Sequence, residues 1–383
     1  MTIKVKISCA GTSVAKADHS NPLVTKFLPN RSNLWHGCEF YFNDDSIKEA
    51  DYWVIMGDIR SAEETCICPK ENILFFAGEA PSTIRYDGLQ DFINQFYRIF
   101  LGYENFKHPR VYKSHTPLNW WIDAGHPIKS NDEFNNWSGD GFGYDDFKSI
   151  REYPKTKFMS VFCSNKICSP GHRARLDFCK KAKNHFKDKL DWFGSGIQDM
   201  PNKWDGIAPY KYHLSLENSS YPNYWTEKLA DCYMAGSYPI YSGATNIHDY
   251  FDQEMLTQID IRYPKASFAV IERVLEENTY EKSKDKILQA RDLVMDKYNF
   301  FNLIAEVVVK DSGIYNKKES ITLRNWDHFD SLRTDFLIIK KKSFIKRVSR
   351  SLEKKIVKIQ NNLTDICLLQ KVKSGSKKSL SNQ

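Results

Sequence analysis

No run of about 18 apolar residues occurs in this 383-residue chain, so no helix in it is expected to span a membrane. The opening MTIKVKISCAGTSV has no apolar leader core and reads as a short strand rather than a secretory signal. Cysteine gives no disulfide framework. Nine are scattered (Cys9, Cys38, Cys66, Cys68, Cys163, Cys168, Cys179, Cys232, Cys367), an odd number that fits a reducing cytosol. Cys66 and Cys68 stand one residue apart, but no second pair follows at zinc spacing. His36, His115, His126 and His248 have no partner at ligand spacing and read as structural.

A basic surface is also missing from most of the chain. Residues 331–383 carry 14 Lys/Arg against 3 Asp/Glu, a net +11 out of a total of +7, which leaves −4 on the first 330 residues. The body is therefore not a broadly basic nucleic-acid binder. What is present is enough apolar material for real cores: 41% hydrophobic and 14% aromatic residues exclude a disordered chain. The length suits two domains.

Strand patterns fall at 4–9, 38–42, 52–56 and 73–77. The last is a continuous apolar run of the kind buried on both faces. A helix is expected over 88–101, with Leu89, Phe92, Ile93, Phe96, Ile99 and Phe100 on one side. Residues 126–156 are polar, Gly-rich and aromatic and read as a linker with one short helix. From 157 strands and helices alternate again: KFMSVFCS, GHRARLDFCKKAKNHF, LDWFGSG, YKYHLSLEN, then a helix over 226–235, a strand over 238–241, LTQIDIR, and a helical pattern over 268–309. The organisation is thus 1–125, a linker 126–156, a second domain 157–330 and a tail 331–383. Two such alternating blocks predict an α/β protein with two doubly wound domains and a ligand cleft beyond the strand ends.

The densest stretch is ENSSYPNYWTEKLADCYMAGSYPIYSGA, 217–244. Thr226 is a good N-cap and Gly236 a good C′ residue. A helix starting there offers backbone N–H groups and a partial positive charge to an anion such as a diphosphate. Lys228 can add a point charge, Glu227 can accept from sugar hydroxyls, Tyr224 can offer an aromatic surface, and Asn218 and Ser219 end a strand where doubly wound folds place ligands. The same residues also suit an amphipathic helix whose first-turn Glu complements the dipole.

This stretch resembles the motif of the α-1,3-fucosyltransferases of glycosyltransferase family 10, of the bacterial type. The match lies in Leu214, Glu217, Asn218, Ser219, Tyr224, Thr226, Glu227, Lys228, Pro239 and Gly243; Trp225 stands where the family usually has Val. It is strongest over 157–250 and thin over the first 150 residues. The resemblance implies a GT-B-like fold, two Rossmann-like domains facing a cleft, with the second holding the donor GDP-fucose. It assigns a diphosphate clamp to an Arg in the helix after CSN: Arg175 by apolar phase, Arg173 otherwise. It compares FFAGEAPS with a family segment whose Glu, here Glu79, is the general base of an inverting displacement. Gly194, in WFGSG, is expected to let backbone approach the nucleotide.

The resemblance further implies transfer of L-fucose to a hydroxyl of a sugar such as GlcNAc or Glc, α-1,3 linked, in an oligosaccharide or lipid-linked glycan of the cell surface, such as lipopolysaccharide. No metal motif or cofactor is needed, though a divalent ion is compatible. A Golgi member would carry an N-terminal membrane helix, so a cytoplasmic protein on the inner membrane face is expected. In the tail, Ile345, Val348, Leu352, Ile356, Ile359 and Leu363 form one helical stripe flanked by Lys and Arg. This basic amphipathic helix, 344–363, suits an anionic membrane surface, with a coiled-coil seam or packed helix as the alternative. The remaining alternatives are another nucleotide-sugar donor on the same fold, a non-catalytic glycan- or membrane-binding relative, and RNA binding through the tail, which the acidic body disfavours.

Overall fold

The computed structural model describes residues 2–10, 22–78, 84, 86–102, 106–117, 120–123, 127–128, 136–137, 141–311 and 317–329. The tail helix expected over 344–363 and the expected base Glu79 lie outside the described residues.

Apolar runs bounded by turns build two large sheets within one unit, Met1–His328. The first has the spatial order Leu34–Trp35, Cys38–Phe42, Ile3–Cys9, Tyr52–Met56, Ile73–Phe76, Arg98–Leu101, Val111–Lys113. Only its first pair is antiparallel. All four residues of Ile73–Phe76 are buried, as its unbroken apolar run predicts. The second sheet is wholly parallel, in the order Leu190–Phe193, Lys157–Phe162, Tyr210–Leu216, Tyr238–Ser242, Thr257–Gln258.

One expected helix is corrected. Residues 88–101 hold only a short helix, Gln90–Ile93, and then the strand Arg98–Leu101. Apolar phase cannot separate a buried strand from a helix face in so short a run. Here the neighbours decide, since Phe76 and Phe100 stack at 4.4 Å and Phe100 and Tyr112 at 5.4 Å across adjacent strands. The pattern over 268–309 is likewise interrupted: Asn278 takes a left-handed backbone, and the segment divides into Pro264–Glu276, Thr279–Lys282, Lys284–Asp296 and Phe300–Asp311.

In the second sheet the crossovers from Lys157–Phe162 and from Tyr210–Leu216 run in opposite lateral directions. Right-handed connections therefore put helix Pro170–Phe186 and helix Glu227–Met234 on opposite faces. The switch point opens beyond the C-terminal ends of these two neighbouring strands, at 163–165 and 217–219. The chain then returns to the first sheet. Helix Phe300–Asp311 packs on Leu34–Trp35 and Cys38–Phe42, with Phe301 against Phe40 at 5.0 Å and Trp35 Nε1 donating to Asn302 Oδ1 at 2.9 Å. Burial of rings such as Phe301 contributes about 1.5–3 kcal/mol each. Strand Glu319–Arg324 pairs antiparallel with Glu63–Cys68. The alternation of that strand turns both Cys66 and Cys68 inward, which gives their spacing a packing explanation. Two Rossmann-like units joined in this way make a GT-B-like α/β fold.

Candidate donor site

The site grows from the strand Tyr210–Leu216, whose last turn delivers Glu217 into the interior at 2% exposure. A buried carboxylate needs donors. Thr226 supplies two, its N–H to Glu217 Oε1 at 2.8 Å and its hydroxyl at 2.8 and 2.9 Å to the two oxygens. Lys228 Nζ lies 3.4 Å from Glu217 Oε2, and 3.1 Å from both Thr226 Oγ1 and Glu227 Oε1. Thr226 also accepts from the Lys228 N–H, the N-cap bond its position predicted. The helix ends at Gly236 with φ +64, as expected for a C′ glycine.

One expectation is corrected here. The N-terminus of helix Glu227–Met234 does not offer a vacant anion seat, because Glu217 already takes the Thr226 N–H and Thr226 itself takes that of Lys228. The chain fills this end with its own carboxylate. Burial alone would raise Glu227, but Lys228 and Lys203 outweigh it and hold the carboxyl down at about 2. Burial would likewise discharge Lys228, and Glu217 and Glu227 more than offset it, raising its pKa. Both groups are ionised at neutral pH. Burial pushes Glu217 upward, against Lys228.

Arg175 and Arg173 separate clearly. Arg175 is buried, donates from Nη1 to Leu216 O at 3.2 Å, and leaves its buried Nε without an acceptor. Arg173 is exposed. Beside Arg175, the His172 imidazole is pushed down to about 4, by burial and then by the charges of Arg175, Lys166 and Lys228. Three cations thus act on one point at the start of helix Pro170–Phe186.

A cavity of about 600 Å³ opens there. Gly171 and Ala174 of that helix, Glu217, Asn218 and Ser219 line one end. Gly171 is required by close approach: a Cβ would stand 1.7 Å from Asn218 O. Neither Arg175 nor Lys228 lines the cavity itself; Lys228 holds Glu217, which does, and Arg175 holds the carbonyl of the preceding Leu216.

The remaining predicted residues fall as follows. Tyr224 is buried at 6% exposure, and its hydroxyl donates to Asn218 Oδ1 at 2.9 Å, so it orients Asn218 rather than presenting an open ring. Gly194 has φ +141 and packs so closely that a Cβ would lie 2.7 Å from the Cys163 carbonyl carbon. Its close approach is to the neighbouring strand end, and it does not line the cavity. Trp225, the departure from the family pattern, is buried and stacks on His115 at 4.9 Å, a contact with the chain that follows the first sheet.

Sequence reasoning gave no role to Lys203 and Asp231. Lys203 Nζ meets Asp231 Oδ2 at 2.9 Å and Glu227 Oε1 at 4.0 Å. Asp231 Oδ1 accepts the N–H groups of Trp121 and Ile122 at 2.6 and 2.7 Å. Asn223 Nδ2 donates to Gly102 O at 2.9 Å, beyond strand Arg98–Leu101. Helix Glu227–Met234 and its leading loop are therefore fastened to the first sheet's side. Asp231 lies one turn after Glu227, the only local hint of this. No group of three or more His, Cys, Asp or Glu gathers at metal-binding distance among the described residues.

Residues 153–268 match the family model described as glycosyltransferase family 10 (fucosyltransferase), C-terminal. Among solved structures the chain is similar to an α1,3-fucosyltransferase with GDP (16% identity, 78% of this chain and 92% of that one, TM-score 0.41) and to the same enzyme type with GDP-fucose (16%, 78% and 92%, 0.41). It is also similar to an α-glucosyltransferase in complex with UDP (9%, 80% and 100%, 0.44). The matched residues 153–268 contain the whole Glu217–Thr226–Lys228 arrangement.

Proposed function

We propose that the chain transfers L-fucose from GDP-fucose to a sugar hydroxyl. The observation that carries the reading is the buried cluster of Glu217 with the ionised Glu227 and Lys228, beside Arg175, at the switch point and next to a cavity large enough for a nucleotide. Arg175 brings a buried Nε with no protein acceptor to the start of helix Pro170–Phe186, where the field is already positive. A diphosphate there meets charge-assisted donors, and the departing GDP is stabilised as its charge develops. Glu227, held anionic, accepts from sugar or ribose hydroxyls, and Asn218 and Ser219 offer further polar groups on the cavity wall.

In this reading Glu79 takes the proton of the acceptor hydroxyl on the face opposite the leaving group, and the anomeric centre inverts. The acceptor is a sugar such as GlcNAc or Glc, α-1,3 linked, in a cell-surface glycan such as lipopolysaccharide. No metal is required. The basic stripe at 344–363 rests on an anionic membrane surface and brings the enzyme to a lipid-linked acceptor on the cytoplasmic face. Among the described residues no helix is long and apolar enough to cross a membrane.

The test is donor binding and slow donor hydrolysis with GDP-fucose beside GDP-mannose and UDP-sugars, on the wild type, Glu79→Ala and Lys228→Ala. The reading expects GDP-fucose alone to be bound and hydrolysed, Lys228→Ala to lose binding, and Glu79→Ala to bind donor normally yet fail with an acceptor. Wild-type binding of UDP-sugars in preference to GDP-fucose replaces the donor, and binding of no nucleotide sugar ends the enzymatic reading.

A further inference from the structure

The cavity has a second end that the chemistry above leaves unused. Beyond Ser220 its wall continues through Gln258, Asp260, Arg262 and Tyr263. Tyr224, the aromatic expected to meet the nucleotide, is buried and occupied with Asn218. Tyr263 is its opposite: 64% exposed, on the cavity wall, at the N-cap of helix Pro264–Glu276. A large ring left open on a cavity wall is a stacking surface for a planar ligand.

Arg262 stands beside it, its guanidinium 5.8 Å from the Tyr263 ring centroid. Asp260 accepts from Arg262 Nε at 2.9 and 3.0 Å and from Nη2 at 2.6 Å. The carboxylate also accepts the Arg262 N–H at 2.9 Å, while Ser267 Oγ donates to the Asp260 carbonyl at 2.7 Å. A guanidinium has five N–H donors, and these bonds use two. The other three, all on Nη1 and Nη2, meet no acceptor among the described residues. They form a planar fork whose other flank is pinned.

We infer that Arg262 and Tyr263 form the nucleobase subsite of this cavity, and that Arg262, positioned by Asp260, selects guanine. The inference rests on the reading of the cavity as a nucleotide-sugar site and specifies which base it takes. Guanine presents O6 and N7 as adjacent acceptors, the pattern an Arg fork matches with two parallel bonds. Adenine places an N6 amino donor beside N7, and a donor cannot accept from the guanidinium. Uracil offers the fork a single carbonyl flanked by an N–H. One positioned Arg therefore separates a guanine nucleotide from the other two, while Tyr263 stacks on any base.

The test is calorimetric titration of the full chain with GDP, UDP and ADP. The wild type is expected to prefer GDP. Arg262→Ala should weaken GDP about 10- to 100-fold and leave UDP and ADP within about twofold, so that selectivity collapses. Tyr263→Ala should weaken all three about tenfold, with Tyr263→Phe retaining the wild-type values. Lys228→Ala serves as contrast and should weaken all three alike, because it releases the Glu217 carboxylate on the cavity wall. Both target residues are exposed, so an unchanged thermal midpoint accompanies these losses. Selective GDP binding that survives Arg262→Ala and Tyr263→Ala overturns the subsite while leaving the donor reading intact. Equal wild-type affinity for GDP and UDP overturns guanine selection, and absence of nucleotide binding overturns both.

Discussion

The Lys228 ammonium stands 3.4 Å from the Glu217 carboxylate, eleven residues earlier in the chain, and that carboxylate is fully buried. The pair joins the end of a parallel strand to the start of the next helix, through Thr226. Removing one partner leaves the other uncompensated in the interior.

Glu217→Ala strands the Thr226 N–H and the Lys228 charge together. Unfolding in urea should show a loss of about 3–5 kcal/mol, the range for breaking a buried pair from one side. Glu217→Gln keeps an acceptor for Thr226 and should lose visibly less. Equal losses for the two would show that shape, not charge, is what the site needs.

Asp231→Ala should cost about 3 kcal/mol or more, because it orphans the Trp121 and Ile122 N–H groups and the Lys203 charge at once. Amide exchange at Trp121 and Ile122 should accelerate selectively. Unchanged protection there would contradict the fastening of helix Glu227–Met234 to the first sheet's side.

His115 gives the chain an acid limit. Burial lowers its pKa to about 4, against about 6.5 when unfolded. Between those values the unfolded chain binds the extra proton. Stability therefore rises with pH across that window and falls on acidification through it, by about 3 kcal/mol for this residue alone. His213, pushed down to about 3 by burial, adds a second loss of the same sign. A His115→Gln variant should show a shallower decline between pH 6.5 and pH 4 in denaturation midpoints; an identical slope would remove His115 as the cause.

Gly171→Ala places a Cβ against the Asn218 carbonyl, with no room for it. The first turn of helix Pro170–Phe186 must then move away from the cavity wall. Overpacking of this kind costs about 1–3 kcal/mol, and donor affinity should fall about tenfold or more with it. Isothermal titration against Ala174→Gly, which removes bulk on the same wall, separates displacement from general helix damage.

Arg175→Lys keeps charge but loses the fork, and donor affinity should fall about tenfold, while exposed Arg173→Ala should change it by less than about twofold. A reversed order would return the diphosphate role to Arg173.

Local order was written plainly in the chain. Thr226 and Gly236 mark their helix ends by residue type, the unbroken run at 73–76 announces a strand covered on both faces, and the stretch from Glu217 to Lys228 lies within the residues that match the family model. These signals act over a few residues, through capping bonds and apolar periodicity, and need no knowledge of the rest of the fold. Arg175 was legible over Arg173 for the same reason, since helical phase alone turns it inward. What the sequence could not decide depends on which strands become neighbours. Residues 98–101 are a strand because Phe100 finds Phe76 and Tyr112 beside it. Glu217 occupies the helix N-terminus because strand Tyr210–Leu216 ends there. Gln258 to Tyr263 face Gly171 and Asn218 across one cavity only once the sheet's outer strands are in register, since a contact between residues so far apart in sequence is fixed by strand order and not by the residues themselves.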